Sequence, residues 1–169
     1  MQKIIDHPVF QETLKQISKE NNLELSEVQK QGASYIAELH SEQQPIANMM
    51  SIKGFQFLLS KAYSDKIDIH PKEIKKLMKL MRQNSVAFIM THKTYLDTLV
   101  LINTLAKYGM PIPFSFGGIN LAFPGLKQTG KNAGLIFIRR SFKENLVYKA
   151  ALRHYISSHI EKGNHLTWN

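Results

Sequence analysis

The hydrophobic pattern of this chain changes period once, near Asn84, and the change limits the fold more than any other feature of the sequence. From Pro8 to about Arg82, apolar residues recur at three- and four-residue intervals: Leu14 and Ile17, then Val28, Tyr35, Ile36 and Leu39, then Phe55, Leu58 and Leu59. That spacing puts them on one side of a helix. Four helices are expected, with Ser26 just before the second, Pro45 in the first turn of the third and His70-Pro71 opening the fourth. In the fourth, Lys72, Lys75, Lys76 and Lys79 should form a solvated face opposite Ile74, Leu77, Met78 and Leu80. Beyond Asn84 the apolar residues gather in short runs: Val86 to Met90, Ile112 to Phe116, Leu135 to Ile138 and His165 to Trp168. These read as buried strands. Between them lie a helix from about Tyr95 to Lys107, ended by Gly109-Met110-Pro111, and one from about Glu144 to Lys162, ended by Gly163. Strands alternating with helices imply an α/β sheet built by crossover connections. The expected organisation is a helical region over residues 1–84 followed by an α/β domain over 85–169. Because the chain stops directly after a strand, where a covering crossover should follow, that domain is expected to be truncated at its C-terminus.

Charge narrows the partners. With 22 Lys and Arg against 13 Asp and Glu, the formal charge is +9, which favours an anionic partner such as a membrane face, a phosphorylated small molecule or nucleic acid. The basic residues are dispersed (Lys127, Lys131, Arg139, Arg140 and Lys143 in the second half), without an arginine-rich block interleaved with aromatics, and this argues against nucleic acid. No cysteine is present, so disulfides, thiolate metal sites and a cysteine nucleophile are excluded. The first residues lack the apolar core of a signal peptide, and nowhere do about 18 uncharged apolar residues run together as a spanning helix needs. His154 and His159, five apart, fall on different sides of a helix, and no other histidine groups with acids in a metal-ligand pattern, so no metal is expected.

The segment from Met90 to Asp97 places His92 at the end of a strand and Asp97 at the opening of a helix, where α/β sheets hold reactive groups. An imidazole takes a proton near neutral pH, and a carboxylate on its other nitrogen fixes the tautomer and stabilises the imidazolium. The pair has the parts of a general base. The structural alternative is that His92 ends the strand while Asp97 caps the helix. No serine or cysteine nucleophile elbow accompanies them, which implies direct attack by a substrate hydroxyl. The Gly117-Gly118-Ile119-Asn120 turn should let backbone approach a ligand, with Gly118 and Asn120 as candidate contacts, and the helix after it could receive phosphate. Arg139 and Arg140 follow a strand and suit bidentate phosphate binding; one should face the cleft while the other makes a structural ion pair, and the sequence does not say which. Phe123 to Leu126 and the apolar helix after Asp97 either border an acyl channel or belong to the core.

Together HKTYLD (92–97), GGINLAFPG (117–125) and FIRRSF (137–142), in this order and spacing, resemble the first two conserved blocks of the bacterial glycerol-3-phosphate acyltransferases and the related dihydroxyacetone-phosphate acyltransferases. The resemblance implies transfer of a fatty acyl group from acyl-CoA or acyl-carrier protein to the 1-hydroxyl of glycerol 3-phosphate, with His92 as base and Asp97 orienting it. It implies that Arg139 and Arg140 lie in the block binding glycerol phosphate, that no cofactor is needed beyond the acyl donor, and that the enzyme works peripherally on the cytoplasmic face of an anionic membrane. Dihydroxyacetone phosphate or lysophosphatidate as acceptor, or a non-catalytic module binding anionic lipid or nucleic acid, are the rival readings. The family's first block commonly has an arginine-serine pair after its histidine, where Lys93 and Thr94 stand here. Its third block, of E-G-x-R-S-R type, and its proline-containing fourth block are absent, so this stretch is expected to hold only part of a site.

Overall fold

The four apolar runs after Asn84 form one parallel sheet in the computed structural model, which describes residues 1–62, 69–91, 94, 97–122, 124–142 and 144–168. The strands are β1 (Ala87–Ile89), β2 (Phe114–Gly118), β3 (Leu135–Ile138) and β4 (Leu166–Trp168), in spatial order β1-β4-β2-β3. Before them come α1 (Gln2–Ile5), α2 (Pro8–Glu20), α3 (Leu25–Leu39), α4 (Pro45–Ala62) and α5 (Pro71–Gln83). Between strands lie α6 (Asp97–Lys107), a 3₁₀ turn (Ile119–Leu121), α7 (Leu126–Asn132) and α8 (Leu146–Glu161). The chain moves from β1 to β2 to β3 in one direction and then returns to insert β4 between β1 and β2. Right-handed crossovers therefore place α6 and α7 on one face and α8 on the other. The mixed α/β class is as the alternating pattern implies.

The side of α8 is densely packed. Phe10 and Leu14 of α2, Val28, Ile36 and Leu39 of α3, and Tyr148, Ala151 and Tyr155 of α8 are buried in one core with Phe114, Phe116, Ile136 and Leu166 of the sheet. Helices α2 and α3, from before residue 84, thus share a core with the sheet after it. Gly32 of α3 lies against Leu14 and Phe10 of α2: a Cβ there would lie 2.9 Å from Leu14 Cδ1. A smaller cluster on the other side joins Ile74 and Met81 of α5 to Leu105 and Met110, with Phe88 of β1 partly buried against it.

Four local expectations need correction. β1 is not a buried strand: Ile89 is 85% exposed, because β1 is an edge with only β4 beside it and no described helix covers that side of it. β2 begins two residues later than the apolar run, since Pro111 and Pro113 cannot donate to a ladder. Gly117 and Gly118 consequently close the strand, paired with Phe137 and Ile138, and do not form the exit turn. On α5, Leu80 is exposed and Met81 takes its place in the seam, because 74, 77, 78 and 81 share one helix face. Ser26 lies inside the first turn of α3; Glu24 is the N-cap and accepts a hydrogen bond from the Ser26 hydroxyl. The expected helix starts at Pro45 and His70-Pro71 hold, and Gly109 and Gly163 follow their helices with φ of 63° and 73°. The expected start of α6 at Tyr95 lies outside the described residues, as do His92, Lys93 and Phe123. Among the described residues, no helix is long and apolar enough to cross a membrane.

Candidate active site

All four strands are parallel, so their C-terminal ends share one edge, and all three motif segments leave from it. A cavity of about 540 Å³ opens there. Leu99 and Ile102 of α6, Phe116, Leu121, Leu135 and Trp168 make most of its wall apolar, while Arg139 and Arg140 supply charge and Ser51, Thr98 and Thr129 supply hydroxyls. Sites at this edge are common in parallel sheets because the loops beyond the strands vary freely while the ladder holds them in place.

Asp97 is the first residue of α6, and Thr94 fixes its carboxylate. The Thr94 backbone N–H donates to Asp97 Oδ2 at 2.8 Å and the Thr94 hydroxyl to Oδ1 at 3.1 Å. An acid that accepts from both the N–H and the hydroxyl of a residue three positions earlier closes a compact local ring that fixes its side chain. The Thr94 bonds precede α6 and are not the bonds to a helix N–H that the helix-cap role weighed for Asp97 would make; they hold the carboxylate in a defined orientation next to Thr98 and Leu99, which line the cavity. His92 lies outside the described residues.

Gly118 has an ordinary φ of −65°, so conformation does not demand glycine there. Its neighbours are close: a Cβ would meet Asn120 Oδ1 and come within 3.3 Å of Arg140 Nε, so a larger residue would displace these two side chains. Gly118, Asn120 and Arg140 thus converge, at an exposed backbone stretch that a ligand can approach. The strand passes directly into a three-residue 3₁₀ turn, too short to present the helix N-terminus expected for phosphate.

The two arginines have separate roles. Arg139 donates from Nε to Glu38 Oε1 at 2.8 Å and from Nη2 to Glu38 Oε2 at 2.6 Å, a bidentate pair with α3. Its guanidinium carbon lies 4.9 Å from the Tyr35 ring centroid and 5.2 Å from that of Tyr148. Its backbone N–H donates to the Tyr148 hydroxyl at 3.0 Å. The hydrogen bond to Glu38 outweighs burial and holds the guanidinium charged even more firmly than usual. Burial, opposed by the Arg139 bond, pushes the Tyr148 phenol up. Arg140 is exposed, and its side chain makes no ion pair with a described residue.

Tyr155, His154 and His159 pack within the scaffold. Burial, with Lys162 and His40 adding to it, lowers His159 to about 4; its ring packs on Phe114 and Tyr155. Burial pushes Tyr155 up to about 12, where its hydroxyl accepts from Ser41 N–H. His154 stacks on Phe10. Among the described residues no three His, Asp or Glu side chains group as a metal site.

The arrangement offers a cation beside bare backbone and an apolar hollow, which suits a ligand with an anionic group and a hydrocarbon portion. Sequence reasoning missed Thr94, although its T-x-x-D spacing to Asp97 is legible, and missed Glu38, Tyr35 and Tyr148, whose role no local spacing signals. Residues 67–168, which are 102 of the chain's 169, match the family model described as Acyltransferase. The chain is 29% identical over 167 residues to the plsB1 protein of Mycobacterium tuberculosis (strain ATCC 25618 / H37Rv), covering 99% of this chain and 26% of that protein. It is 30% identical over 156 residues to the dihydroxyacetone phosphate acyltransferase of Bos taurus (89% and 22%), and 25% identical over 162 to the glycerol-3-phosphate acyltransferase of Haemophilus influenzae (95% and 20%). The chain thus spans between 20% and 26% of the length of these relatives. With the larger part of its residues matched in one continuous stretch, the chain belongs to the acyltransferase family.

Proposed function

We propose that the protein transfers a fatty acyl group from acyl-CoA or acyl-carrier protein to the 1-hydroxyl of glycerol 3-phosphate. The observation that supports this best is that the strands preceding the three motif segments end at one sheet edge, where residues of the second and third segments line an apolar cavity with Arg140 beside Gly118 and with Thr98, next to Asp97, in its wall. His92 accepts the hydroxyl proton as the oxygen bonds to the thioester carbonyl carbon; the C–S bond then breaks and the thiolate leaves with a proton returned by His92. Asp97, held by Thr94, orients the imidazole and stabilises its charged form. Arg140, with Asn120 and the Gly118 backbone, receives the acceptor's phosphate. Only the acyl donor enters as co-substrate, and no metal takes part.

The site works at an anionic membrane surface on the cytoplasmic face. Supporting this, Ile46, Met50 and Phe57 form an exposed stripe on α4 at helical spacing, with exposed Lys53 on the same face. Dihydroxyacetone phosphate is the second acceptor to test, since relatives carry both names. In the complete protein, His92→Ala should abolish transfer and Asp97→Asn should lower kcat by about 10³–10⁴ without loss of folding, by analogy with other His-carboxylate pairs. Retained activity in His92→Ala would reject the mechanism. Competition between the two acceptors in one assay identifies the preferred one by kcat/KM.

A further inference from the structure

We infer that Glu38 is a positioning residue for the acceptor's phosphate: by clamping Arg139 against Tyr35 and Tyr148, it leaves Arg140 as the single guanidinium presented beside Gly118. The inference rests on the proposed acyl transfer and adds to it an element from outside the motif segments. Three contacts hold Arg139: the bidentate pair with Glu38, the two flanking rings, and the Tyr148 hydroxyl on its backbone N–H. The far end of the same loop is also tied. Asn145 caps α8 by accepting from Tyr148 N–H at 2.8 Å, and its amide donates to the Tyr35 hydroxyl at 2.8 Å. The loop carrying Arg140 is thus anchored at both ends to one network of α3 and α8 side chains. Holding it should matter because a displacement of about 1 Å in a positioning group costs up to about a hundredfold in rate. Pairing the Arg139 charge with the Glu38 carboxylate also sets the net charge available to the ligand: without Glu38, a second unpaired guanidinium would join Arg140 at the cavity rim.

A charge exchange tests this in the complete protein, with glycerol 3-phosphate as the varied substrate. Glu38→Arg and Arg139→Glu alone should each raise KM for glycerol 3-phosphate by about tenfold or more while leaving KM for the acyl donor unchanged. The double variant E38R/R139E restores an opposed pair and should return to within about threefold of wild type, the coupling expected of directly paired residues. Should either single variant fail to fold, the double variant and the milder Glu38→Gln, both checked by thermal melting, carry the test. A double variant that melts like wild type yet stays as impaired as Arg139→Glu would show that Arg139 itself binds the phosphate, and would overturn the inference. So would a Glu38→Gln protein with unchanged KM. Wild-type protein that saturates with neither glycerol 3-phosphate nor dihydroxyacetone phosphate would instead reject the acyl-transfer proposal, and the inference with it.

Discussion

The two sides of the sheet are built differently. On the side of α8, the rings of Phe10, Tyr148 and Tyr155 and the side chains of Leu14 and Ile36 are at most 1% exposed and interlock with the strands. On the side of α4 to α7, the buried cluster is small, a cavity of about 540 Å³ remains, and α4 turns Ile46, Met50 and Phe57 outward. Close packing is what lets a scaffold hold a position, and it leaves no room for a ligand. The described residues therefore concentrate their packing on one side, where the network of Glu38, Tyr35 and Tyr148 grips the β3–α8 loop, and leave the cavity on the other.

The sharpest way to break this contrast is to remove matched volumes from each side. Leu14→Ala should cost about 3–5 kcal/mol, because it opens a void in a core that cannot collapse. Ile102→Ala, which enlarges space already present, should cost about 2 kcal/mol or less. Urea unfolding of both variants checks this, and equal losses would remove the distinction. Acidification acts next, again through the packed side. His159 is lowered in the folded state from 6.5 to about 4, so the unfolded chain binds the proton first. Its contribution is complete above about pH 6.5 and is lost as pH falls towards 4, on the order of 3 kcal/mol in all. His154 and His165, lowered mainly by burial, add in the same direction. A melting temperature that declines over that window in wild type, and declines less in His159→Phe, is the expected result. The smallest effect on stability belongs to the open side: Phe57→Gln should change unfolding free energy by less than about 0.5 kcal/mol. It should nevertheless reduce sedimentation with vesicles containing phosphatidylserine, and unchanged sedimentation would detach α4 from the membrane role.

How much was legible in the sequence depended on the range of the interaction that decides each feature. Helix starts at Pro45 and Pro71 were legible because proline at a first turn acts locally. The strands of the sheet and their alternation with helices followed from short apolar runs. Strand edges were less so: the exposure of Ile89 depends on β1 having a single neighbour, which is a property of the strand order and not of the run Val86 to Met90. The misplacement of Leu80 against Met81 arose where both alternatives are apolar, and a one-residue choice of face turns on what α5 packs against. Within the candidate site, the spacing of His92 and Asp97 and the pair of arginines stood out as types suited to proton transfer and phosphate binding. Their division of labour did not, because Glu38 lies 101 residues before Arg139.

By itself, then, the sequence determined the α/β class, the order of its strands and longer helices, though not the short α1 and α7, and the three segments from which a site would be made, since periodicity, turn residues and side-chain chemistry act over a few positions. Only the tertiary structure decided that these segments meet at one edge of a parallel sheet, that one face is filled while the other is hollow, and that Arg139 is bound to α3 while Arg140 stands beside Gly118. Those outcomes depend on contacts between residues far apart in the chain, and on how completely the volume between packed elements is filled. Neither is encoded at any single position.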